Sequence, residues 1–192
     1  MKNLIIVSII VCSSFSVFCQ DNKIKKWNSQ VFLDLNASNK TTYAYTDAEN
    51  IGRELRLNGK GSIEIEYNLD YRLLKKLALT GNIGLTNYNS FFGSLKTGAG
   101  LKLLYIEDSY HYLTLQYGFH IPLNTDDFRE GHQIKIGQVF DVANIFNKRL
   151  LLGVYYISDF FYTNDSKPLI DNAVKSSSLK ASAYGISLGI KF

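Results

Sequence analysis

The side chains able to do chemistry in this chain are charged groups set at every second position of short apolar stretches. Asp34, Arg56, Lys60, Glu64, Glu66, Lys96, Lys102, Lys135, Asp141, Asp159 and Lys191 all stand this way, most of them between aliphatic or aromatic neighbours. Cations and anions are nearly balanced among them. Groups of that kind, brought together in a confined space, pair with one another, because a buried charge persists only when it is paired and hydrogen-bonded. Candidates for catalysis are few. There are three histidines, His111, His120 and His132, and the best surroundings are those of His120 in "FHIPLN". Asp126, Asp127 and Glu130 in "NTDDFREG" offer oxygens for a divalent ion, but a solvated acidic loop is the better account of them. No catalytic residue, metal site or cofactor is assigned.

The elements that carry these charges must be strands, since a side-chain period of two is the strand period. Eight stretches show it. In "KWNSQVFLDLN" Trp27, Val31, Leu33 and Leu35 oppose Asn28, Gln30, Asp34 and Asn36; in "RELRLNGKGSIEIEY" Leu55, Leu57, Ile63, Ile65 and Tyr67 oppose Arg56, Lys60, Glu64 and Glu66. "LALTGNIGLT", "LKTGAGLKLLY", "HYLTLQYGFHI", "HQIKIGQVFDV" and "RLLLGVYYISDFF" follow. The last stretch, "SAYGISLGIKF", sets Tyr184, Ile186, Leu188, Ile190 and Phe192 against Gly185, Ser187, Gly189 and Lys191. Long polar connectors ("ASNKTTYAYTDAENIG", "NYNSFFGS", "PLNTDDFREG", "TNDSKPLIDNAVKSSSLKA") alternate with shorter ones ("NLDYRLLKK", "EDS", "ANIFNK"). Within the first of the short ones, Leu69 to Lys76 is expected to be a turn.

The N-terminus "MKNLIIVSIIVCSSFSVFCQDN" has a positive start at Lys2, a short apolar run and small residues, which is a secretory leader. Residues 1–19 are expected to be cleaved, leaving 20–192 as a single domain. A lipid-anchored Cys19 would want a small residue before it, and Phe18 stands there. Both cysteines, Cys12 and Cys19, lie in the leader, so the mature chain has no thiol chemistry. The formal net charge of +4 is spread without a basic cluster, which argues against a nucleic-acid partner.

Strands of about ten residues suit a tilted membrane crossing better than a soluble sandwich. Aromatic residues gather at strand ends: Trp27, Tyr67, Tyr71, Tyr105, Tyr110 and Phe192 on the short-turn side, Tyr43, Tyr45, Tyr88, Phe91, Phe92, Phe161 and Tyr162 on the other. This is the spacing of two interfacial girdles. Because a sheet with open edges cannot cross hydrocarbon, the sheet must close. The expected fold is therefore all-β, an eight-stranded antiparallel up-and-down transmembrane β-barrel.

The last residues resemble the C-terminal assembly signal of outer-membrane barrel proteins, with Phe192 preceded by Ile190, Leu188, Ile186 and Tyr184. The mature chain as a whole resembles small outer-membrane barrels laid out like the OmpA transmembrane domain and OmpX. It lacks the peptidoglycan-binding domain of full OmpA. The resemblance implies an outer-membrane location with both termini periplasmic, and passage through the barrel-assembly machinery. It also implies contact with outer-membrane lipid and lipopolysaccharide, for which Lys40, Arg129, Lys167 and Lys175 are loop candidates. The implied role is structural or interactive: envelope integrity, adhesion, or service as an accessory subunit with a protein partner at the exterior loops. The alternatives are a lipid A-modifying enzyme or a narrow channel. Lipid A deacylases among such barrels would have a serine two residues beyond the histidine, where this chain has Pro122.

Overall fold

The computed structural model describes residues 26–192 apart from 60, 89–91, 106–109, 124, 146, 166 and 171–172. The leader and Lys60 lie outside the described residues. Nine strands follow in order: β1 (Trp27–Asp47), β2 (Gly52–Leu57), β3 (Ser62–Leu74), β4 (Leu77–Tyr88), β5 (Phe92–Leu104), β6 (Tyr112–Leu123), β7 (Phe128–Ile145), β8 (Lys148–Thr163) and β9 (Ala173–Lys191). From β3 to β9 each strand pairs antiparallel with the next. The ring closes where β9 pairs antiparallel with β1, from Gln30↔Lys191 to Asp47↔Ala173. On its other edge β1 meets β3 along Trp27 to Asn36 and β2 along Thr41 to Thr46. Thus β2 and β3 are two pieces of one stave, and nine strands make eight staves.

That break is a correction to the single strand expected from Arg53 to Tyr67. Alternation runs straight through "NGKG", so periodicity alone does not reveal it. The geometry at its lower end explains it: a Cβ on Gly61 would run into the carbonyl oxygen of Asn36. Only the two glycines let the stave close so tightly on β1 there. The expected turn at Leu69 to Lys76 is also corrected, since β3 continues to Leu74 and the turn is residues 75–76 alone. Asn68 and Asp70 point inward and Leu69 outward, so the strand period persists through the leucine-rich run.

The long connectors are mostly strand. β1 has 21 residues, β9 19, β7 18 and β8 16. A tilted strand needs about 9–11 to cross a bilayer. The surplus extends the wall at the loop end, and β2, exposed on both faces, forms with the end of β1 a projecting hairpin. Its turn is held by Asp47, whose carboxylate accepts from the amides of Glu49 and Ile51 at 3.0 Å each and from Arg53. Those amide bonds, the one from Ile51 foremost, and the guanidinium hold Asp47 below the usual carboxylate range. Asn50 takes the left-handed conformation at φ 60°, which asparagine tolerates better than most residues.

Burial is inverted relative to a water-soluble protein. Glu64 and Glu66 are 0% exposed, while Ile65 between them is 58% exposed. The same holds around the ring: Leu33, Ile83, Leu101, Leu115, Ile136, Val154 and Leu188 face outward, while Asp34, Lys96, Lys102, Gln116, Lys135 and Ser187 face inward. A wall of exposed aliphatics around a charged interior is stable only with hydrocarbon outside. The fold is a transmembrane β-barrel.

Candidate functional site

The polar lumen is where the buried titratable side chains gather among the described residues. It is stoppered by two apolar layers. Toward the short turns lie Phe32, Ala78, Leu104, Tyr112, Val139 and Leu151; toward the loops lie Tyr43, Phe92, Phe128, Phe161 and Leu179. Glycines make room for the rings. A Cβ on Gly189 would strike the Phe32 ring and one on Gly131 the Phe161 ring, so both aromatics lie flat against the wall.

Between the stoppers, three lysines order the network. Lys96, from β5, contacts both Glu64 and Glu66 from β3 and donates to Gln133 at 3.1 Å. Lys135, from β7, contacts Asp34 and stands 3.4 Å from Glu66, its ammonium 4.6 Å from the centre of the Tyr155 ring. Lys102 donates to Asp70 at 2.8 and 3.0 Å and to Gln30 at 3.0 Å, and Tyr112 Oη donates to the same Gln30 oxygen at 2.7 Å. Asn68 donates to Glu66 at 2.7 Å. Asp34, Glu64 and Glu66 bring carboxylate oxygens within 4.8 Å of one another, a spacing that suits a metal ion. Lys96 and Lys135 between them contact all three carboxylates, which makes it an ion-pair cluster. Beside it a cavity of about 20 Å³, lined by Thr114, Gln116, Lys135 and Ser187 among others, has room for about one water. Thr114 Oγ1 and Gln116 Oε1 have no protein partner.

Of the charges expected inside, Asp34, Glu64, Glu66, Lys96, Lys102, Lys135, Asp159 and Lys191 are buried. Lys191 lies at the short-turn rim, 2.9 Å from the Tyr110 ring centre. Two are not in the network. Arg56 is exposed on the projecting hairpin, because the break at 58–61 separates β2 from the walled part of the stave. Asp141 is half-buried at the rim, 2.5 Å from Arg149, near where the β7–β8 register shifts. Sequence reasoning places Gln30 on the inward face but does not single out Asp70, Asn68 or Gln133: the first two fall in the stretch that reads as a connector, and Gln133 carries no charge, although its parity is inward.

The girdle expected at the loop end is corrected as well. Tyr43, Phe92 and Phe161 are buried in the upper stopper, since Phe92 shares its face with Ser94 and Lys96, and Phe161 shares its face with Asp159. The outward aromatic patch of that half is built from Tyr117, Phe119, His132, Phe160 and Tyr162, with ring centres 4.9 to 5.9 Å apart. In the loops, Lys167 pairs with Asp126 at 2.9 Å, and that hydrogen bond raises the lysine above its usual pKa. Tyr184, Ile186, Leu188 and Ile190 are outward on β9, and the Phe192 amide donates to the Ser29 carbonyl at 3.0 Å.

Under the upper stopper, Ser94 Oγ lies 2.9 Å from His120 Nδ1, and His120 Nε2 lies 3.5 Å from Asp159 Oδ1. The set has the membership of a hydrolase triad. Its surroundings are closed: Ser94 and His120 are each 1% exposed, and the Phe161 ring sits 5.3 Å from the imidazole. Asp159 is also engaged, accepting from Tyr88 at 3.0 Å and from Gln133 at 2.9 Å. His120 Nε2 has no hydrogen-bond partner, so the group is a buried Ser94–His120 hydrogen bond beside a separately bonded Asp159.

No protein-family model and no curated protein matches the chain. Among solved structures it is similar to a de novo designed transmembrane β-barrel, at 16% identity and a TM-score of 0.42, covering 84% of this chain and 94% of that one. It is similar also to the outer membrane protein AlkL in lipid bilayers, at 13% identity and a TM-score of 0.45, over 91% and 94% of the two chains. A third likeness, to OmpT of Vibrio cholerae, has 12% identity and a TM-score of 0.30, over 88% and 53%. Likenesses this distant carry no residue roles. The membrane-barrel class follows from the chain's own closed ring and inverted burial.

Proposed function

We propose that this is a small outer-membrane barrel, of the OmpA and OmpX layout, that acts as a structural or interaction protein rather than as a pore. The observation that carries the reading is the pair of apolar stoppers enclosing a self-paired charge network. An interior of eight staves is only wide enough for its own side chains, and here those side chains hold one another. In this reading the leader is removed after Cys19, the termini face the periplasm, and residues Tyr184 to Phe192 are read by the barrel-assembly machinery. The projecting β1–β2 hairpin and the loops then meet the exterior, where an envelope protein partner would bind. The exposed Lys40, Arg129 and Lys175 are suited to lipopolysaccharide phosphates. The test is planar-bilayer recording of the refolded protein. A flat baseline is expected, and reproducible conductance steps would contradict the reading.

A second reading, a lipid-modifying enzyme, has the Ser94–His120 hydrogen bond, with Asp159 nearby, in its favour. Its seal of rings stands against it. Hydrolysis of phospholipid or lipid A that is lost on Ser94→Ala would establish it in place of the first.

A further inference from the structure

The outer wall is not evenly covered. Across β3, β4 and β5 a recess of about 660 Å³ opens toward the hydrocarbon, lined by Trp27, Tyr67, Leu69, Tyr71, Leu79 and Ile83. The floor is Gly81, opposite Leu69 on one neighbour and Ala99 on the other. Nothing in the packing calls for a glycine at this position. A Cβ there would meet nothing within 4 Å, and the backbone is not in the left-handed region. The inward glycines Gly84, Gly98, Gly100 and Gly137, by contrast, each have a backbone atom where a Cβ would go. A strand-interior glycine with no internal reason marks a place where something else approaches the backbone closely.

Charge identifies what approaches. At the short-turn end the recess is walled by Trp27 and Tyr71, whose rings are 4.7 Å apart. Beyond them, in the two-residue turn from β3 to β4, come Lys75 and Lys76, both exposed. An open apolar face of the wall ending at an aromatic pair and two cations matches one amphiphile: an acyl chain below and an anionic headgroup at the interface. A second copy of the barrel fits poorly, since a two-fold contact through Gly81 would bring the two cationic ends together.

We infer that this recess is a binding site for an anionic phospholipid, one acyl chain lying over Gly81 and the phosphate meeting Lys75 and Lys76. The inference rests on the reading that the wall stands in a membrane. Trp27 is the chain's one tryptophan and lies in the recess, so its fluorescence reports on it. The barrel is refolded into phosphatidylcholine vesicles containing either brominated phosphatidylglycerol or brominated phosphatidylcholine, with folding checked by heat-modifiable gel mobility. The anionic lipid should quench Trp27 with a relative binding constant on the order of three- to ten-fold higher. Lys75→Gln/Lys76→Gln should abolish the preference, and Gly81→Leu should reduce quenching by both lipids. Equal quenching by the two lipids, unchanged in the charge variant, would overturn the site while leaving the membrane reading intact. Absence of quenching by either lipid would overturn the site: with a cross-linked dimer it would assign the recess to a second copy, and without one it would overturn the membrane reading as well.

Discussion

At the scale of single residues, the lumen is a case where removing one partner costs more than the pair is worth. Lys96 is fully buried against Glu64 and Glu66. Breaking such a cluster from one side costs about 3–5 kcal/mol, because a charge is left buried and uncompensated, whereas replacing the whole cluster is far milder. Urea unfolding of the Lys96→Met barrel in lipid vesicles should show a loss of that size. The triple variant Lys96→Met/Glu64→Gln/Glu66→Gln should recover about half of it or more; a triple variant no more stable than the single one would contradict the pairing. The inward parity of these three residues was legible in "SIEIEY" and "LKTG". Their mutual contact was not, because it depends on stagger between strands that no single stretch encodes. Arg56 shows the converse: its alternation reads as lumen, yet the glycine break sets it outside the wall.

Strands carry the next set of consequences. On β9 the two faces lie one residue apart, Leu188 exposed and Ser187 buried. A cation near the midplane of the lipid face costs about 2–4 kcal/mol. Leu188→Arg should therefore lower folding stability in vesicles by that amount, while Ser187→Ala, beside the small water-sized cavity, should stay within about 1 kcal/mol. Equal losses would mean that the faces are reversed. The strand's last residue is proposed to act during assembly. A chain ending at Lys191 should reach the outer membrane in lower yield in cells yet unfold in vitro much like the full chain, since one interfacial ring adds limited burial. Unchanged cellular yield would remove the assembly role. Strand identity was readable from alternation throughout; strand length was not. Polar stretches such as "TTYAYTD" and "VKSSSLKAS" read as loops, but pairing between β1 and β9 draws them into the wall, beyond the membrane where neither face needs to be apolar.

For the whole molecule, the decisive property is that charge is inside and aliphatic surface outside a closed ring. That much was legible, because eight alternating stretches with a closing requirement leave little else. The stoppers were not, for aromatics at strand ends serve equally as girdles outside or plugs inside, and only their parity relative to Ser94 or Asp159 decides. The measurement that tests the account most directly is the accessibility of single spin labels placed along β4 and β6 of the barrel in vesicles. Labels replacing Ile83, Leu85, Leu113 and Leu115 should be open to dissolved oxygen and closed to a water-soluble nickel complex. Labels replacing Thr80, Asn82, Thr114 and Gln116, where folding is retained, should be shielded from both. If instead the nickel complex reaches the Ile83 and Leu115 labels freely, the aliphatic wall faces water and the chain is not a membrane barrel.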